Sequence, residues 1–163
     1  RPAPNRFITK VCGGTIVGAK SGLARTPQLK SGGNERKMNA YLLVGIGGAL
    51  GSIARYGSGV AVGKLWGPSF PLATVLVNIV GSLAMGLFIG FLARTTPAWQ
   101  ADARLFVAVG IFGGFTTFST FSLDVIVLIE RGEIVQALAY VLISVVVAVA
   151  ALYVGLLLTR GIA

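Results

Sequence analysis

Residues 110–124 read GIFGGFTTFSTFSLD: two adjacent glycines, then five hydroxyl side chains (Thr116, Thr117, Ser119, Thr120, Ser122) interleaved with Phe115, Phe118 and Phe121. Hydroxyl groups donate and accept hydrogen bonds, and in a helix they compete with the ladder for its own carbonyls. Gly113 and Gly114 each weaken a helix interior by about 1 kcal/mol relative to Ala. The phenylalanine rings add a negative face and a positive edge. The chemistry on offer is solvation of a solute by donors, ring edges and freed main-chain oxygens. Bond making would require a nucleophile with its base, paired carboxylates or a metal cluster, and the apolar part of the chain holds none of these, so the protein is not expected to be an enzyme.

The remaining polar residues of the apolar regions fall into register. Thr74, Asn78 and Ser82 are spaced i, i+4, i+8 and therefore share one helical face. Tyr140 and Ser144 share another. Asn78 has two readings, an interhelical hydrogen bond that glues a bundle or a member of a polar track; its alignment with two hydroxyls favours the track. Arg55 also has two, a side chain snorkelling to headgroups or an anion-attracting charge at a pore mouth. Asp124 is the only acid within reach of the break, and a lone acid near a helix end is often merely solvated. Neutral donors without a fixed negative charge suit an anion or a small polar solute, whereas a proton-coupled transporter generally places a carboxylate in its bundle. There is no His, and the single Cys is Cys12. A transition-metal site, a His relay and an intrachain disulfide are thereby excluded.

These residues need a membrane scaffold. The mean hydropathy is +0.83, and only 12% of the 163 residues are charged. The apolar residues form long blocks rather than the short alternating strands of a membrane barrel. Four transmembrane helices are expected, over residues 41–62, 71–93, 105–129 and 134–158, with residues 94–104 as the longest loop. About 20 residues at 1.5 Å each cover the ~30 Å hydrocarbon core. Gly47 and Gly51, repeated by Gly59 and Gly63, give the first helix small-residue spacing for close packing, as Gly81, Gly86 and Gly90 do for the second. The third helix is expected to break mid-membrane, which is tolerated only where the irregular backbone is buried in protein or lines a cavity. Carbonyls freed there are hard ligands suited to a cation such as Na⁺. Two breaks meeting in an antiparallel dimer would offer four of them.

The charge of +9 belongs mostly to one end. Residues 1–37 carry eight Lys/Arg and one acid, while the rest of the chain carries six and four. The basic segment, interrupted by Pro and Gly, is expected to be a disordered tail, most simply one outside the native protein, with the membrane domain spanning residues 38–163. It gives no reason to expect nucleic acid as a partner. From Met38 onward Arg94, Arg104 and Arg160 balance Lys64, Arg131 and Arg55 across the membrane. The positive-inside rule then chooses no orientation. A chain that inserts both ways can pair with an inverted copy.

GGALGSIARY (residues 47–56), TVLVNIVGSLAMG (74–86) and GIFGGFTTFSTFS (110–122), in this order, resemble the Fluc/CrcB family of fluoride channels; the resemblance covers residues 38 to about 160. It implies an all-α, multi-pass protein of the cell (plasma) membrane, a dual-topology antiparallel homodimer in the lipid bilayer that passively exports fluoride. It also implies a structural Na⁺, not transported, at the dimer centre. By motif, Gly113 and Thr116 match the residues whose carbonyls hold Na⁺. Phe118 and Phe121 match the pore-lining phenylalanines, with Thr120 beside them, and Asn78 and Arg55 match the asparagine of the second helix and the arginine of the first. Tyr140 and Ser144 look like the start of the fourth-helix polar track, which at its next turn meets Ala148. The alternative is a small dual-topology multidrug exporter, which should carry a carboxylate in its first helix; residues 41–62 contain none.

Overall fold

The computed structural model describes residues 31–67 and 70–160, and these are helical with short connections. The elements are α1 (Ser31–Trp66), α2 (Leu72–Thr95), α3 (Gln100–Ala103), a π-helical stretch (Arg104–Phe112), α4 (Gly113–Phe115), α5 (Phe118–Glu130) and α6 (Ile134–Arg160). Among the described residues, three helical spans are long and apolar enough to cross a membrane: Leu72–Thr95, Gln100–Glu130 and Ile134–Thr159, with mean hydropathies of 2.3, 1.6 and 2.9. The expected first span, residues 41–62, lies inside α1 but is not among them. Its glycines, Ser52, Ser58 and Arg55 dilute the apolar residues.

Two boundaries differ from expectation. Helix α1 begins at Ser31, so the last seven residues of the basic segment are helical rather than tail; Glu35, Arg36 and Lys37 are good helix formers. Residues 1–30 lie outside the described residues. The loop after α2 is shorter than residues 94–104, because α2 runs to Thr95 and α3 starts at Gln100. The stop is local. Thr96 adopts a left-handed conformation with φ 39°, its N–H donates to Leu92 O at 3.0 Å, and Pro97 follows. A left-handed cap closes the last turn and a proline just beyond cannot extend it.

Helices α2 and α6 form the largest contact in the fold, and they run parallel in a four-residue step. Thr74 and Tyr140 both donate to Asp124 Oδ2. Further along, a Cβ on Gly86 would strike Leu152 O, and one on Gly90 would lie 3.5 Å from Leu156 O. Between these fixed levels the same step puts Asn78 beside Ser144 and Ser82 beside Ala148. One half of the seam is therefore polar and the other half is closed by glycine. Gly155 completes that closure, since a Cβ there would sit 2.5 Å from Leu83 O.

Helix α1 packs on the π-helical stretch and α4 through a second glycine seam. A Cβ on Gly47 would strike Phe106 O, one on Gly51 would strike Ile111 O, and one on Gly114 would lie 2.5 Å from Gly48 O. In lipid, such backbone approach is what holds helices together. The expected repeat of this seam at Gly59 and Gly63 does not occur within the chain, because a Cβ on either would meet nothing within 4 Å. Val75, Phe121, Leu128, Ala137 and Tyr140 form the buried core where α2, α5 and α6 meet.

Candidate functional site

The Gln100–Glu130 span breaks over two residues. Thr116 (φ −74°, ψ 156°) and Thr117 (φ −150°, ψ 120°) are extended, between α4 and α5. Thr116 stays tied to the preceding turn, its N–H and its hydroxyl both donating to Phe112 O at 3.0 and 2.9 Å. Thr117 leaves the helical ladder altogether. Its N–H donates to Asn78 Oδ1 at 2.9 Å, and Asn78 Nδ2 donates to Thr117 O at 3.2 Å. One carboxamide thus pairs with one extended peptide as a neighbouring strand would. The buried Thr117 hydroxyl also caps α5, accepting from Thr120 N–H at 3.2 Å and contacting the Thr120 and Ser119 hydroxyls at 3.0 and 3.3 Å. An N-cap hydroxyl of this kind satisfies an otherwise orphaned donor at a helix start.

Breaking the ladder frees carbonyls. In a continuous helix the Thr117 N–H would serve Gly113 O, but here it serves Asn78. Among the described residues no hydrogen bond reaches the carbonyls of Gly113 or Thr116. Such oxygens, at membrane depth, need a partner. No group of three or more His, Cys, Asp or Glu is placed to hold a metal ion among the described residues. The donor set at the break is main-chain oxygen, which fits a hard monovalent cation. Gly113 itself is exposed in the single chain.

Most of the expected site residues, though not Tyr140 or Gly113, fall around two cavities that share Thr117. One, of about 350 Å³, is lined by Asn78, Ser82, Thr116, Phe118, Phe121, Ser144 and Ala148, together with Val145 and Val149. The Phe118 and Phe121 rings stand 5.4 Å apart and share this face, and Phe121 continues onto Tyr140 at 5.3 Å. Phe118 is 77% exposed. Phe115 turns away toward Gly81. The second cavity is lined by Arg55, Ser52, Tyr56, Thr74, Thr117 and Thr120. Arg55 and Thr120 are therefore not brought against the phenylalanine pair. Thr74 and Tyr140 are tied instead to Asp124, whose Oδ2 accepts from them at 2.8 and 3.0 Å. Asp124 is thus a fixed acceptor joining α2, α5 and α6 rather than simply a solvated end residue. It also faces a third cleft, lined by Arg131 and Thr74.

The hydroxyls sort by partner. Ser58, Thr95, Ser122 and Thr159 donate back to carbonyls of their own helix, the usual resting place of a hydroxyl in a helix. Ser144 does not: it is 5% exposed and its Oγ has no partner. Two residues escaped the sequence reasoning, Thr117 as the hub of the break and Asp124 as a tie. The first was detectable, because Thr117 precedes a helical run and Thr120 follows at capping distance.

Comparison with known proteins identifies the family. The family model described as CrcB-like protein, Camphor Resistance (CrcB), matches residues 42–156. A protein named fluoride-specific ion channel FluC from Nitrobacter winogradskyi is 52% identical over 126 residues, 77% of this chain and 99% of the relative. One of the same name from Phenylobacterium zucineum is 51% identical over 77% of this chain and 98% of the relative. Another, from Hyphomonas neptunium, is 46% identical over the same shares. With the family model covering well over half its length, and relatives of this identity aligned almost end to end, the chain belongs to the CrcB family.

Proposed function

We infer that the protein is a fluoride-specific channel, passing the anion through a membrane down its electrochemical gradient. The observation that carries this reading is the cleft between α2, α5 and α6. It is lined by an amide, hydroxyls and two phenylalanine rings, with no charged residue, and it contains one buried hydroxyl with no protein partner. Donors held ready in a site without negative charge solvate an anion at little reorganisation cost. Ring edges add weak positive potential. Relatives of about 50% identity carry the name of that activity. Hydrogen fluoride crosses a bilayer as a neutral acid and ionises on the far side, so a cell in acidic surroundings accumulates fluoride. A passive path for the anion empties it.

Within this reading the working residues are Asn78, Ser82, Phe118, Phe121 and Ser144 along the cleft. Arg55, Thr74 and Thr120 form a neighbouring polar chamber that attracts the anion, and Tyr140 lies between. The functional form is a dual-topology, antiparallel homodimer in the cell membrane. In it, α1 supplies the fourth crossing through residues 41–62, and residues 38–163 are the channel unit. The exposed Phe118 and the exposed Gly113 then lie where a second copy packs. A Na⁺ held by the Gly113 and Thr116 carbonyls of both chains would supply the positive charge that four freed carbonyls require; its role is structural.

The test is efflux of fluoride from liposomes containing the purified protein, followed with a fluoride electrode, with chloride-loaded vesicles alongside. Fluoride release well above protein-free vesicles, with chloride retained, is expected. Release no faster than from protein-free vesicles overturns the reading.

A further inference from the structure

The polar half of the α2–α6 seam has three levels, and the third is asymmetric. At the first, Thr74 and Tyr140 are both committed to Asp124. At the second, Asn78 is committed in part to Thr117, while Ser144 Oγ is free. At the third, α6 contributes Ala148 and has no hydroxyl to offer, but α2 contributes Ser82, and both line the same cleft. Beyond it the glycine levels of Gly86 and Gly90 close the seam. A path that used only α6 would therefore run out of donors one turn past Ser144, with Val145, Ala148 and Val149 around it.

Ser82 is placed to fill that gap. A helical serine ordinarily donates its hydroxyl hydrogen bond to the carbonyl four residues back, as Ser58 and Ser122 do at 2.9 Å. Ser82 makes no such bond, and none to any described residue, although it is half-buried. Among the described side chains, the helical serines without a hydrogen bond are Ser52, Ser82 and Ser144, and each lines one of the two polar cavities. The hydroxyl side of the cleft therefore crosses from α6 to α2 between its second and third levels.

We propose that Ser82 supplies the third hydrogen-bond donor of the anion path, in the place that Ala148 leaves without one. The assignment rests on the fluoride-channel reading above and names a rate-setting donor within it. The partially dehydrated anion leaving Ser144 meets the Ser82 hydroxyl before it reaches the purely apolar wall. No covalent step is involved, because the hydroxyl turns its proton toward the anion and back.

The experiment moves the hydroxyl across the cleft. Fluoride efflux from liposomes is measured per unit of folded protein for the parent, Ser82→Ala, and the exchange variant Ser82→Ala/Ala148→Ser. Ser82→Ala is expected to lower the flux about tenfold, the effect of ~1.4 kcal/mol on a barrier. The exchange variant is expected to restore most of it, because the donor returns to the same level from the other helix. A packing role for Ser82 would not be rescued in this way. Ser82→Gly removes the hydroxyl without adding atoms and replaces the alanine variant should that one fold poorly. Parent-like flux in Ser82→Ala, or an exchange variant as slow as Ser82→Ala, overturns the assignment alone. A parent that passes no fluoride overturns the channel reading and this assignment with it.

Discussion

Asn78 and Ser144 sit side by side on the α2–α6 seam, yet their side chains stand in opposite situations. Asn78 already holds the Thr117 peptide at both ends, so its two sequence readings, glue and track, are not alternatives: the clamp on the break and a place on the cleft wall belong to one side chain. Removing a partner from a buried backbone N–H costs about 1–3 kcal/mol. Asn78→Ala should therefore lower both the fluoride flux and the thermal unfolding midpoint in detergent. Ser144 holds nothing, and its hydroxyl is buried without a partner. Ser144→Ala should lower flux while leaving the midpoint unchanged or slightly raised, since an unsatisfied polar group is removed. Matched losses of stability in the two variants would contradict the division of roles. The stripe of Thr74, Asn78 and Ser82 was legible because a four-residue step on a helix is geometry. The engagement of Thr74 with Asp124 was not, because a carboxylate fifty positions away leaves no trace in local spacing.

Among the elements, glycine decides which helices touch. The spacing of Gly47 and Gly51 announced a packing face, and the structure sets it against the π-helical stretch and α4. The identical spacing of Gly59 and Gly63 announced the same and packs on nothing within the chain. Sequence spacing records that a helix offers a smooth face, and only the fold determines whether a neighbour takes it. A paired substitution separates the two cases. Gly51→Ala places a methyl on Ile111 O and should cost about 1–3 kcal/mol or prevent folding, as overpacking does. Gly59→Ala meets open space and should leave the unfolding midpoint of the single chain unchanged. Equal effects would show that the second seam is used after all, by another copy. The break was legible from its paired glycines and hydroxyl run. The π-helical stretch ahead of it was not, because RLFVAVGIF reads as an ordinary apolar helix. A π-helical stretch commonly accompanies a functional irregularity, and here it leads directly into the break.

The whole molecule raises the question of what satisfies the freed carbonyls. The charge balance from Met38 onward makes paired, inverted copies reasonable, and removing residues 1–37 should leave fluoride efflux at the level of the full chain. The Na⁺ proposal is more demanding. Within the chain Gly113 is open, a Cβ there lying 3.8 Å from Ala108 O. A close backbone approach is therefore not the reason for that glycine; the close approach belongs to Gly114, against Gly48. The consequence can be tested. If a second copy and a cation cover Gly113, Gly113→Val should leave the single chain helical and folded. It should nevertheless abolish the dimer and the flux, because the added side chain enters the space shared between copies. Gly114→Val should instead damage the chain itself, seen as loss of helical signal. Thr116→Ser, which keeps both the carbonyl and the hydroxyl bond to Phe112 O, should be mild. The same logic predicts that exhaustive replacement of Na⁺ by a large organic cation, during purification and assay, lowers fluoride flux and that returning Na⁺ restores it. Undiminished flux without Na⁺, together with a Gly113→Val protein that still dimerises, would remove the cation from the account. The freed carbonyls would then have to be satisfied by water reaching the break through the polar cleft.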